Sequence, residues 1–382
     1  MRLLRSGLSR KDIGGKLEKL VDGLFANVPT GVGSHRKDFK LSEKELRRVL
    51  VKGAGWAVSN GYGTDADLDH IEEGGSISGA NPEEVSKRAI ERGRPQLGTL
   101  GSGNHFGEIQ YVSEVFDEKV ANVLGLCKDQ ITVMIHTGSR GLGYQVCDDF
   151  LKVMLKASAR YGIELPDPQL CAAPLASPEG KRYLSAMAAA ANYAFANRQM
   201  ITHFVRETFE NVLGLGRGKL GLTLVYDVCH NIAKMEEHDV KGKKTRLCVH
   251  RKGATRALPP RHPKTPDAYR DVGQPVLIPG DMGRYSYVLV GTDRAYEETF
   301  GSSCHGAGRV MSRRQARKTA RSRHITREME EQGVIVRAAG RATLVEEIPE
   351  AYKDVAEVVE VVQGAGISKK VVQLKPLGVI KG

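Results

Sequence analysis

The sequence has no Cys-x-x-Cys pair, no apolar run of membrane-spanning length, no secretory leader, no internal repeat, and no low-complexity or Pro/Ser-rich linker segment. Its six cysteines (127, 147, 171, 229, 248 and 304) are scattered, which argues against a disulfide framework and fits reduced thiols in a cytoplasm. Without an apolar span or leader the chain reads as soluble and intracellular. Without a linker, 382 residues at 41% hydrophobic read as one continuous mixed domain, 1–382, with a substantial core. Acidic residues are in the minority: 57 Lys+Arg against 45 Asp+Glu leave +12. That excess suits a polyanionic partner such as nucleic acid, although basic proteins of many kinds share it.

Capping signals place the helices. Ser42-Glu43-Lys44-Glu45 is a capping box leading a helix toward Val58, and Asn81-Pro82 caps another ending near Gly93. Gly61 to Asp67 between them reads as a plain acidic loop, since it lacks the closing glutamate of a calcium loop. Ser177-Pro178-Glu179 opens a long helix to about Val212 whose Ala-rich middle implies close packing. Its polar interruptions Asn192, Asn197 and Arg198 are a polar face or ligands, and His203 is structural. Gln274 to Gly283 and Ser286 to Gly291 read as two strands joined by a glycine turn, Arg309 to Arg323 as a basic helix, and Tyr352 to Val362 as a short one.

The chemistry concentrates where strands run out. Gly98-Thr99-Leu100-Gly101-Ser102-Gly103 leads into Asn104-His105-Phe106-Gly107-Glu108, with Asn104 and Glu108 on one face if Phe106 points inward. Ile131 to Ile135 delivers His136 to a glycine loop carrying Arg140; Leu222 to Cys229 runs into His230-Asn231; Leu247 to Lys252 repeats the pattern more loosely at His250. Strand ends collect functional groups, and imidazoles from separate strands beside Asn and carboxylates suit manganese or zinc. Ser302-Ser303-Cys304-His305-Gly306-Ala307-Gly308-Arg309 puts an imidazole, free backbone N–H groups and a guanidinium together. It is either a phosphate-handling site or a solvated glycine turn. The basic helix after it is either a solvated face or a contact with a nucleic-acid backbone.

Assembled in this order, GTLGSGNHFGEIQ (98–110), HTGSRGLGYQV (136–146), NYAFANRQ (192–199), HN (230–231), VHRKGATRA (249–257), SSCHGAGRVMSRR (302–314) and PLGVIKG (376–382) resemble the RtcB family of RNA-splicing ligases over nearly the whole chain. The resemblance implies a single α+β domain with layered sheets around a deep metal and nucleotide cleft. It implies a GTP-dependent ligase in which His305 attacks the α-phosphorus, forming a histidine-linked guanylate that passes to an RNA 3′-phosphate; a 5′-hydroxyl then displaces GMP, a 2′,3′-cyclic phosphate being opened first. His105, His136 and His230 would hold two manganese ions. Asn104, Glu108, Asn231, Pro279, Gly280, Asp281, Met282, Gly306, Ala307, Gly308, Tyr352 and Lys381 would contact the nucleotide. Arg140, Arg309 and Arg313 would hold phosphates or RNA ends. The partners implied are RNA, as tRNA halves or broken RNA, and an archease-type activator.

Two features depart from the family pattern. An Asp-x-x-Cys-Gly motif, whose Asp and Cys are metal ligands in the family, would precede Arg2-Leu3-Leu4, and no such motif occurs in this chain. The expectation is that Met1 is internal to that motif and the natural start lies upstream. Asp281 and Arg284 stand where the family commonly has Ser and a small residue, which points to altered nucleotide handling. The other reading of the chain is a non-catalytic RNA- or nucleotide-binding protein, or an inactive fragment of such a ligase.

Overall fold

The β-rich runs become twelve strands: β1 (Arg2–Ser9), β2 (Phe106–Val115), β3 (Gln130–His136), β4 (Thr223–Asp227), β5 (Asn231–Val240), β6 (Lys243–Lys252), β7 (Ala254–Arg256), β8 (Pro275–Ile278), β9 (Ser286–Gly291), β10 (Ser302–Cys304), β11 (Ile335–Ala338) and β12 (Ser368–Lys381). The computed structural model describes all residues from Met1 to Gly382. Eight strands form one sheet in the order β4-β1-β3-β2-β12-β9-β8, with β11 also on β12; only the β11–β12 pairing is parallel. Two small ribbons, β5–β6 and β7–β10, complete a mixed α+β architecture.

β3 is buried at all seven positions, as a continuous apolar run requires. Its successive side chains leave on opposite faces. Ile131, Val133 and Ile135 join a core with Leu4, Phe195 and Phe209, while Met134 joins a second core with Leu3, Val336 and Leu374. The sheet is therefore the middle layer between two hydrophobic masses.

Among the helices are α1 (Leu17–Asn27), α2 (Glu43–Lys52), α3 (Arg140–Arg160), α4 (Pro178–Leu213), α5 (Arg313–Thr319) and α6 (Val355–Gly364). α4 starts where its signals say, with the Ser177 hydroxyl accepting from the Gly180 N–H, and stops at Gly214 in the left-handed region (φ 69°). α2 has its capping box but ends before Val58, because Gly53 turns the chain at φ 54°. A Cβ there would lie 2.0 Å from the Gly75 carbonyl oxygen, so only glycine fits this break, and a separate short helix, Ala54–Ser59, follows. Asn81 caps only one 3-10 turn, Pro82–Glu84; the helix Lys87–Gly93 has its own cap, Ser86. The basic helix is also shorter than its charge pattern, because Arg309 is extended and bridged to Tyr352 before α5 begins. The second of the two glycine-linked strands is as read; the first stops at Ile278, leaving Pro279 to Gly283 as a loop.

Strand register puts the ends that matter in one row. Lys381 of β12 pairs with Phe106 of β2, and Phe106 with His136 of β3; Arg2 of β1 lies opposite Ile135 on one side and Asp227 of β4 on the other. Beneath this row Asp227 accepts from Arg2 Nε at 2.7 Å and from Arg198 Nε at 2.8 Å, all three side chains being fully or almost fully buried. Burial alone would raise the Asp227 pKa, and the charges of Arg198 and Arg2 hold it below the usual carboxylate value. Replacing Asp227 with Ala leaves two buried guanidinium groups facing each other. The expected cost is about 3–5 kcal/mol, read by urea denaturation; a loss under about 1 kcal/mol would show that the pair contributes little.

Candidate functional site

The two glycine loops that carry His105 and His136 are held by one side chain of α4. Asn197 Oδ1 accepts from the N–H groups of Gly98 (2.7 Å) and Thr99 (3.1 Å), and its Nδ2 donates to the carbonyls of Thr99 and Gly138, both at 3.1 Å. Arg198 reaches the Thr137 carbonyl at 3.1 Å and Asn192 ties α4 to Leu50 and Ile77. The polar interruptions of α4 are thus buried clamps on loop backbone. Gly101 is required by close approach: a Cβ there would meet His105 Nδ1 at 1.9 Å.

His105 and His136 on these loops converge with His230, which precedes β5, and His305, which follows β10. Ring centroids of His136 lie 5.1 Å from those of His230 and His305 and 5.6 Å from that of His105; His230 and His305 stack at 3.8 Å and 9°. One nitrogen each of His136, His230 and His305 lies within 4.8 Å of the others. Buried His105 Nδ1 and both nitrogens of His136 and of His305 have no hydrogen-bond partner. An unpartnered buried polar atom costs about 1–3 kcal/mol, and a divalent cation is the ligand that uses several such lone pairs at once. Burial, then the charges of Arg140 and Lys381, pushes His105 down to about 3; burial does the same for His305. His136 and His230 are lowered well below the usual value, again by burial first. All four rings are held neutral, which is the ligand and nucleophile form of imidazole.

The imidazoles stand between two cavities. One, of about 90 Å³, is lined by Asn104, Phe106, Glu108, His136, Pro279 to Met282, His305 to Ala307, Glu347, Tyr352 and Lys381. The other, of about 990 Å³, is lined by His105, Arg140, Tyr144, Arg198, His230, Asn231, His250 and Lys252 among others. Most residues expected around a nucleotide thus share the small cavity; Asn231 lines the large one, where its Oδ1 accepts from Gly253 N–H at 3.0 Å, and Gly308 lines neither.

Burial raises Glu108 to about 8, against the opposing effects of a hydrogen bond from Gln110 and the Lys381 charge. Lys381 is lowered by burial, against the pull of Glu347 and Glu108. Asp281 is also raised by burial; its Oδ1 accepts from Gly283 and Arg284 N–H, and its other oxygen pairs with Arg284 at 3.1 Å. Arg284 donates to the Pro349 carbonyl at 3.0 Å, so the Asp281–Arg284 pair ties the 279–283 loop to the segment carrying Tyr352.

Three arginines fall differently. Arg140 (φ 54°) donates to Thr99 Oγ1, Ser34 Oγ and the Gly31 carbonyl, bracing the His105 loop. Arg309 donates to Glu347, Tyr352 Oη and the Glu346 carbonyl. Arg313 is 64% exposed, 3.6 Å from Glu346. Glu347, which accepts from Arg309 and Tyr352, has no motif around it that would have marked it in the sequence.

A mixed α+β sheet protein with a histidine cluster fit for divalent metal, set between a small carboxylate-lined pocket and a large cationic cleft, is the class these observations define. A family model described as "tRNA-splicing ligase RtcB" matches residues 1–382, and the chain belongs to that family. It is 59% identical over 382 residues to a protein named tRNA-splicing ligase RtcB from Archaeoglobus fulgidus and 54% identical to one so named from Thermococcus kodakarensis, spanning all of this chain and 79% of each relative. A Pyrococcus abyssi protein of the same name is 55% identical over 382 residues, of which the chain spans 42%. No helix is long and apolar enough to cross a membrane.

The Glu108 carboxyl gives a pH signature. Its folded pKa, about 8, lies above the ordinary 4.5. Between these values the folded state retains a proton that the unfolded chain releases, so its contribution to stability falls as pH rises through that window. Glu108→Gln should therefore gain stability relative to the parent between pH 5 and pH 8 in urea titrations. Parallel stability curves would place the Glu108 pKa at its ordinary value.

Proposed function

We propose that this chain is a GTP- and manganese-dependent RNA ligase that joins RNA 3′-phosphate or 2′,3′-cyclic phosphate ends to 5′-hydroxyl ends, in tRNA splicing or RNA repair. The observation that carries the reading is His305: it lines the small cavity while its ring stacks on His230, which lines the large one. A group transferred by His305 would pass from a nucleotide in one cavity to a strand end in the other.

Burial keeps the His305 ring neutral, so its nitrogen lone pair is available as nucleophile near pH 7. That lone pair forms the bond to the α-phosphorus of GTP as the bond to the bridging oxygen breaks and pyrophosphate leaves. An oxygen of the RNA 3′-phosphate, a cyclic end having first been opened by water, then displaces the imidazole, which recovers its lone pair. The 5′-hydroxyl oxygen gives up its proton to solvent and displaces GMP to seal the strand. Asn104, Glu108, the Pro279–Met282 loop, Tyr352 and Lys381 would orient the nucleotide, with Arg309 and Glu347 fixing the Tyr352 hydroxyl. His105, His136 and His230 would hold the divalent cations, which when bound neutralise phosphate charge. Cytoplasmic placement belongs to the same proposal, and the six cysteines are all free thiols.

With manganese and GTP labelled on the α-phosphate, the chain should retain covalent label on a denaturing gel and His305→Ala should retain none. Label on the Ala variant would reassign the nucleophile. Absence of label on the parent, and on a version extended by an Asp-x-x-Cys segment, would remove the ligase reading in favour of a binding protein.

A further inference from the structure

The ribbon β5–β6 is joined by ten register pairs without a bulge, from Asn231↔Lys252 to Val240↔Lys243. Its two faces differ sharply. One is fastened to the body: Arg251 donates to Ser302 Oγ at 2.9 Å and to the Phe300 carbonyl at 2.8 Å, Lys234 pairs with Glu72 at 2.8 Å, and buried His238 packs on Tyr296 and Phe300. The other face carries, at every second position of β6, the exposed residues Lys252, His250, Arg246 and Lys244, with half-buried Cys248 between. Lys252, His250 and their cross-strand neighbours Asn231 and Ala233 line the large cleft beside His230. Arg246 and Lys244 continue the same face away from it.

Cations two residues apart on a strand are about 6.8 Å apart, and Lys252 to Lys244 covers about 27 Å. Glu237 lies opposite Arg246 and Asp239 opposite Lys244 in the register; Asp239 accepts from the Gly242 N–H at 2.7 Å, and Glu237 is the carboxylate that competes with a phosphate for Arg246. Aromatic surface is present too: Tyr144 lines the cleft and is 67% exposed. The cations Lys252, Arg246 and Lys244, with the His250 ring among them, leading to an exposed aromatic ring make a single-strand binding arrangement.

We infer that the exposed face of β5–β6 is the track for a single-stranded RNA end, whose phosphates follow Lys252, His250, Arg246 and Lys244 while a base near the terminus stacks on Tyr144. This rests on the ligase reading for the identity of the strand, and it adds where that strand lies. The test is fluorescence anisotropy with 3′-phosphate and, separately, 5′-hydroxyl single strands of about 4 and about 12 nucleotides, lengths within the range of single-strand sites. For the strand that uses the track, Lys244→Ala with Arg246→Ala should weaken the long RNA several-fold and the short RNA hardly at all. The salt dependence of the long RNA should fall by about 1.4 in log–log slope, two contacts at about 0.7 each. Glu237→Gln should tighten the long RNA. Tyr144→Ala should weaken both lengths and Tyr144→Phe restore them. Equal losses for both lengths, an unchanged salt slope, or tighter binding of duplex than of single strand would overturn the track. Covalent guanylate, measured separately without RNA, reports the ligase reading, so failure of either is recognised apart from the other.

Discussion

The site depends on one buried amide. Asn197, in the middle of a 36-residue helix, meets four backbone groups of two loops that have no regular secondary structure of their own. Loops rich in glycine cost conformational entropy to order, and a buried loop must have its polar groups satisfied. Asn197 satisfies both loops together, and this fixes the spacing of His105 relative to His136. The Ala-rich stretch before it lets α4 come close enough for so short a side chain to reach.

Desolvation then determines the chemistry of the four imidazoles. Removed from water and set near Arg140, Lys381 and one another, none can hold a proton near pH 7. The same burial acts oppositely on the small cavity's carboxyl, raising Glu108. The pocket thus sets neutral imidazoles on one wall against Lys381 and the carboxyls of Glu108, Asp281 and Glu347 on the others. The large cleft stays cationic, because Arg92, Arg140 and Lys252 line it and no carboxylate does.

Asp281 illustrates how a loop can absorb a half-buried carboxyl of its own. A carboxylate beside a phosphate site is unfavourable by simple Coulomb reasoning. Here its two oxygens are occupied by the Gly283 and Arg284 N–H groups and the Arg284 guanidinium. Asp281 and Arg284 therefore form a coupled pair that stiffens the loop.

Much of this was legible in local sequence. The cap at Ser177, the fully apolar run of β3, the glycine loops bearing histidine and the HGAGR stretch are short-range signals, and the structure brings His105, His136, His230 and His305 into one cluster. What the sequence alone determined is several of the helices and strands, the glycine loops between them and which side chains could do chemistry, because caps, periodicity and side-chain type act over a few residues. The long β12 and the strands β1 and β11 emerged only in the fold. Only tertiary structure decided the rest. α2 stops at Gly53, where the Gly75 carbonyl leaves no room for a Cβ; Arg309 serves Tyr352 and Glu347 because a bridge forms across 43 residues; and Glu347 enters the pocket with no motif to announce it. These outcomes come from register and close approach between distant segments, which no local pattern encodes.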